Sequence, residues 1–258
     1  MLKFATFYDG NSFEFDRGPP APDFLEAMRI AAEFARTGKR EEALSACIAA
    51  AEGNVTDLQK SHALELAAGY ARHLRKSELA DQLTGRIPIE AVKKSVQMQN
   101  LLDQFKAAQV IEQFGSEDIS KWPFWKRGDG LHWRGRAYSI TKAGEKAEAD
   151  MLAALKFTSE PRSRDTIRLL TAQNRENNLQ DDAKALEAYN AIVAGRTRIG
   201  AADEYAALQG IARILTRRGQ FDEAIKTLER ADLPNLGGVW KENILKSIEA
   251  VKQSQQNR

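Results

Sequence analysis

The chain has 258 residues but only one cysteine, seven prolines and three histidines. One thiol excludes an internal disulfide and a thiolate metal cluster. Cys47 shares an apolar stripe with Leu44 and Ile48 and reads as a small core residue. His62, His73 and His132 are scattered, and no HExxH or Cys/His spacing suggests zinc. No run approaches the roughly 18 apolar residues of a membrane span. Charged and polar residues also interrupt the N-terminus where a signal peptide needs an apolar core. A soluble protein without membrane insertion is therefore expected. The cytoplasm is favoured, with periplasm or secretion applying if an upstream signal was removed. Net charge is nearly absent, since 38 Lys+Arg against 36 Asp+Glu leave +2, so no global field recruits nucleic acid or anionic lipid. GxSxG, Walker-type and GxGxxG motifs are missing, and we assign no catalytic residue, metal or cofactor. The acid pairs Glu41-Glu42 and Asp181-Asp182 read as first-turn residues at positive helix ends.

Few prolines leave long helices open almost throughout. Gly38-Lys39-Arg40-Glu41-Glu42-Ala43-Leu44 returns near the end of the chain as Gly219-Gln220-Phe221-Asp222-Glu223-Ala224-Ile225. Each copy follows an apolar-periodic helix and opens a second one, which is the bend of a helical hairpin. Small residues early in each second helix, at Ala43, Ala80, Ala108, Ala147, Ala183 and Ala224, mark six hairpins. Their spacing predicts repeats at about 24–57, 61–88, 89–122, 128–161, 164–197 and 205–238. Trp240, Ile244, Ile248 and Val251 form the stripe of a capping helix over 239–255. At the other end, Phe4, Phe7, Phe13 and Phe15 flank Asp9-Gly10-Asn11, a β-hairpin signal. A proline-rich connector completes this lead segment of 1–23. Asp23 with Glu26 reads as the capping box of the first helix.

The pattern resembles the tetratricopeptide repeat (TPR) family. Leu131, Gly135, Tyr138, Ala147, Met151, Ala154 and Pro161 carry it in the fourth unit. Leu208, Ile211, Ala212, Leu215, Gly219, Phe221, Ala224, Leu228 and Ala231 carry it in the sixth. The first unit matches through Ala27, Ala31, Phe34, Ala43 and Cys47, and the fifth through Ile167, Leu170 and Ala183. The second is degenerate, and the third rests on Phe105 and Ala108. The resemblance covers residues 24–238 and implies an all-α solenoid with a capping helix.

In this family first-helix side chains line a concave face. The resemblance therefore implies a groove displaying His132, Arg136, Arg168, Arg175, Arg213 and Arg217, relieved by Asp129, Asp165 and Glu176. Arginine forks suit carboxylates and phosphates, so an acidic protein segment is the expected partner. Reversing the charge of Arg175 is expected to leave stability nearly unchanged. The carboxylate clamp of the chaperone-binding members is not recognisable, because Met28, Ala32 and Gly69 stand at the corresponding sites. Trp122, Phe124 and Trp125 form a dense aromatic loop that is either a binding hot spot or the filling of an irregular junction. The leading expectation is a non-enzymatic protein-interaction scaffold. One alternative is the C-terminal accessory domain of a larger secreted or periplasmic enzyme with a β-rich catalytic part upstream. A weaker one is a nucleic-acid-binding solenoid, against which the charge balance argues.

Overall fold

The computed structural model describes residues 22–195, 201–231 and 238–256. They form 13 α-helices and one short 3-10 turn at Ile119–Lys121, with no strand among the described residues. Six hairpins pair α1 (Pro22–Arg36) with α2 (Arg40–Glu52), α3 (Asp57–His73) with α4 (Ser77–Gly85), and α5 (Glu90–Asp103) with α6 (Ala107–Phe114). α7 (Phe124–Ile140) leads through a turn of the same kind into α8 (Gly144–Phe157), and pairing continues with α9 (Pro161–Asn177) and α10 (Asp182–Ala194), and α11 (Ala201–Arg217) and α12 (Phe221–Glu229). A last helix, α13 (Gly238–Gln256), follows. The N-terminal β-hairpin expected from the sequence lies outside the described residues. The expected capping box on α1 does not form: Asp23 is already inside the helix, and Glu26 pairs with Arg29 at 2.7 Å.

One backbone device closes every hairpin. A residue in the left-handed region follows each first helix, at Gly38, Arg75, Phe105, Lys142, Gln180 and Gly219, with φ between 53° and 80°. In five turns the next N–H donates to the carbonyl five residues back, from Lys39 to Phe34, Lys76 to Ala71, Lys106 to Leu101, Ala143 to Tyr138 and Gln220 to Leu215. This is the Schellman closure, which satisfies carbonyls orphaned at a helix end. The fifth turn holds one more residue, and Asp181 N–H reaches Arg175 C=O, six back. Only Gly38 and Gly219 adopt this conformation without a Cβ penalty, which is why those two turns alone are conspicuous in the sequence.

Four residues past each turn bond a small residue buried at the helix crossing. Ala43, Ala80, Val110, Ala147, Ala185 and Ala224 are all completely buried. Ala108 and Ala183, assigned to this role from the sequence, lie two residues too early and are exposed. The error arose where valine took the third crossing and where two alanines, at 183 and 185, competed for the fifth. Phe105 is corrected likewise: 96% exposed, it is the turn residue rather than a packing residue.

The chain divides into two compact units, Met1–Ala137 and Tyr138–Arg258. In the first, one core joins Phe24, Met28, Leu44, Cys47, Leu64, Leu83 and Val96. A second joins Met98, Leu102, Val110, Phe114, Ile119, Trp122 and Ala137. In the second unit a single core runs from Leu169 through Tyr189, Leu208 and Leu228 to Ile244 and Val251. Burying each of these larger side chains stabilises by roughly 1.5–3 kcal/mol. Local caps reinforce the helices: Thr56 and Gln59 form a reciprocal capping box on α3, and the Glu160 carboxylate accepts from the N–H groups of Arg162 and Ser163 ahead of α9.

Candidate functional site

In the second unit α11 packs on both α9 and α10, which brings the arginines of two first helices together. At their centre is Glu176, whose side chain is 1% exposed. Arg213 donates to it through Nε at 3.0 Å and Nη2 at 2.8 Å, Arg217 through Nη1 at 3.1 Å, and the Tyr189 hydroxyl at 2.8 Å. Burial pushes this carboxyl up. The hydrogen bonds of Arg213 and Tyr189, with the Arg213 charge, outweigh burial and hold it below the usual carboxylate range. Arg217 also reaches Asp182 at 2.6 Å. Arg175 donates to Glu148 at 2.6 Å, and Arg168 to Asp165 at 2.9 Å.

Each predicted groove arginine of this unit therefore already holds a carboxylate. Apart from Arg168, whose acid lies on its own helix, the ladder is a set of inter-helix clamps as well as a charged surface. Arg175, with 19% of its side chain exposed against Glu148 at 23%, is mainly a clamp. Reversing its charge would set two carboxylates together, so the expectation that stability survives this change is withdrawn. Arg168, Arg213 and Arg217 differ, because 49%, 48% and 47% of their side chains stay open to solvent.

The other two predicted groove residues belong to the first unit. Arg136 has no ion-pair partner among the described residues. His132 stacks on Trp133 at 4.3 Å, and its Nε2 is buried without a hydrogen bond. Burial lowers the imidazole to about 4 against the attraction of Asp129, with Arg136 assisting burial, so it is neutral at pH 7. The ring is half-buried, and its Nε2 faces the interior rather than an open groove.

Of the three aromatic residues only Trp122 is interior, while Phe124 and Trp125 open α7. Trp122 is 5% exposed, lies against Gly130 and donates through Nε1 to Glu117 at 3.0 Å. Trp125 packs on the first core and Phe124 is half-buried. For Trp122 the hot-spot reading is excluded by burial.

Sequence reasoning missed Lys126. Its side chain is 4% exposed, and its ammonium donates to Asp129 at 2.6 Å and to Glu65 of α3. Burial alone would lower its pKa, but the charges of Asp129 and Glu65 override that and raise it. A fixed ammonium salt of this kind binds helices together; it is no nucleophile. Arg72 was missed too: it donates to Asn100 at 2.7 Å and Asp103 at 3.0 Å, while Asn100 donates to Asp81 and Thr84. Only the i,i+3 pair Lys126/Asp129 left a signal in the sequence; the other contacts span 16 or more residues.

Among the described residues no group of three or more His, Cys, Asp or Glu could hold a metal ion, and no helix is long and apolar enough to cross a membrane. No protein-family model and no curated protein matches the chain. Solved structures do. A tetratricopeptide repeat protein from Parabacteroides merdae superposes with a TM-score of 0.58 at 12% identity, covering 92% of this chain and 89% of that one. The P58(IPK) TPR domain covers 91% and 66%, at 11% identity and a TM-score of 0.42. Nearly identical TPR-like repeats from Podospora anserina cover 92% and 99%, at 14% identity and 0.41. The fold assignment rests on the first of these together with the six closed hairpins: the chain has the all-helical fold of the tetratricopeptide repeat proteins.

Proposed function

We propose that the chain is a non-enzymatic scaffold that binds a segment of a partner protein, with acidic side chains of that segment set against the first-helix arginines of the second unit. The observation that carries this reading is the double character of Arg213 and Arg217. Each is fixed by the buried Glu176 carboxylate yet keeps nearly half of its side chain in solvent. A guanidinium fixed in advance has already lost its rotamer freedom, so a ligand carboxylate gains a charge-assisted bond without the usual ordering penalty. Arg168, on the neighbouring first helix, is equally open and among the described residues bonds only Asp165 of its own helix.

That local bonding makes Arg168 the residue for the test, because reversing it spares every inter-helix clamp. In a pull-down of partner proteins by the full chain, Arg168→Glu is expected to reduce capture by about tenfold, the loss of one charge-assisted contact. Its melting temperature should fall only slightly, because the repulsion it introduces, against Asp165, stays within one helix. Capture unchanged by Arg168→Glu, with the fold intact, would remove the arginine face from the proposal.

A further inference from the structure

The apolar stripe of α13 explains why this helix covers the end of the second unit: Ile244 and Val251 are buried, with Ile248 packed beside them. It does not explain the residues alongside. α13 packs on α12 but touches α11 only lightly. Between α13 and α11 lies a cleft of about 330 Å³. Ligand pockets run to roughly 300–1,000 Å³, so this one suits a short stretch of chain.

The two walls offer different chemistry. From α11 come Arg213 and Arg217, and no acidic residue is among the described residues that line the cleft. Arg213 spends Nε and Nη2 on Glu176, which leaves Nη1 without a partner among the described residues. Around these donors stand three hydroxyls, Thr216 of α11 with Ser247 and Ser254 of α13. Each has already given its proton to a carbonyl of its own helix: Thr216 to Ala212, Ser247 to Asn243, Ser254 to Ala250. A hydroxyl has one proton and two lone pairs, so all three can now only accept, Ser247 with one lone pair already facing the Gln209 amide at 3.4 Å. Ala212 and Ala250 keep the space between the walls open.

A simple anion matches the arginines alone and meets only lone pairs elsewhere. A basic segment finds no carboxylate among the described residues that line the cleft. An extended peptide with an acidic side chain matches both walls, because its carboxylate meets the guanidinium groups while its main-chain N–H groups meet the hydroxyls. We infer that α11 and α13 form a cleft for an extended acidic peptide segment, which makes the terminal helix a binding wall as well as a cap. This rests on the proposed reading that the partner is a protein, and it adds the place and the chemistry of contact.

The test uses the full chain and a fluorescent peptide of alternating Glu and Gly, N-acetylated and C-amidated, followed by anisotropy. The Gln counterpart and inorganic phosphate serve as controls. The Glu peptide is expected to bind about tenfold more tightly than the Gln peptide. Ala250→Trp, which fills the cleft from an exposed position, should weaken binding about tenfold and leave the melting temperature unchanged. Ser247→Ala with Ser254→Ala should weaken it several-fold, and phosphate should compete poorly. Absence of binding, equal affinity for the two peptides, indifference to Ala250→Trp, or full competition by phosphate with silent serine variants each overturns the inference. In the partner pull-down, loss with Arg168→Glu but not with Ala250→Trp would leave the scaffold standing and remove the cleft.

Discussion

Removing both Arg213 and Arg217 should expose how the second unit is held together. Glu176 is 1% exposed and receives four hydrogen bonds, three of them from these two arginines. Arg213→Ala alone leaves Arg217 and Tyr189 in place and should destabilise by about 1.5–3 kcal/mol, the range for a hydrogen-bonded charge. The double variant leaves a buried carboxylate with one neutral donor, and about 3–5 kcal/mol is expected at neutral pH. The pH dependence should change sign. In wild type the Glu176 pKa is depressed, so its contribution is present above the unfolded carboxyl value, near 4.3, and is lost as pH falls through the folded value. In the double variant burial is no longer outweighed, the folded pKa rises above the unfolded one, and the Glu176 contribution weakens as pH increases through that window. Urea unfolding followed by far-UV circular dichroism at about pH 7, about pH 5 and about pH 3.5 reads both effects, and adding Glu176→Gln should recover a large part of the loss. A double variant within about 1 kcal/mol of wild type, or one with the wild-type pH slope, would refute the clamp.

Three further outcomes follow from particular contacts. His132 is held near 4 in the folded state against about 6.5 unfolded, so wild type should lose about 2 kcal/mol from this group between about pH 7 and about pH 5, and His132→Phe should abolish that part of the slope in the same urea series. A Cβ at Gly210 would sit 2.4 Å from the Tyr189 ring and one at Gly130 2.5 Å from the Trp122 ring. Either Gly→Ala change should lower stability by roughly 1–3 kcal/mol in thermal melts, and Ala224→Trp by at least as much, whereas Ala183→Trp should be tolerated. Among the turns, Phe105→Gly and Lys142→Gly relieve left-handed backbone and should each raise stability by about 1 kcal/mol, with no gain when the same change is made inside a helix.

The architecture was legible because it is written locally. Hairpin periodicity, glycine at two turns and alanine at the crossings repeat within windows that a reader can compare side by side. Register was less legible, and the reason is specific. A left-handed residue closes all six turns, but at Arg75, Phe105, Lys142 and Gln180 the Schellman hydrogen bonds hold residues with no intrinsic preference for that conformation. Without a glycine to fix the count, Ala108 and Ala183 passed for crossing residues although Val110 and Ala185 fill those places.

The candidate site was legible only as a composition. Arg168, Arg175, Arg213 and Arg217 could be placed on first helices by spacing, but nothing in the sequence distinguishes an arginine that faces a partner from one that holds the fold. That distinction depends on acids 27 to 41 residues away, Glu148 for Arg175 and Glu176 for Arg213 and Arg217. Packing of successive hairpins decides which acid each arginine meets. The same packing gives these arginines two roles at once: a carboxylate buried at the joint between repeats anchors the guanidinium, and the half left in solvent is what a partner can use. In a fold built this way, a surface residue's freedom to bind is set by the internal contact behind it, so variants that probe binding must spare that contact. Arg168 and Ala250 meet this condition, since among the described residues one bonds only within its own helix and the other lies exposed on α13; Arg175 and Arg213 do not.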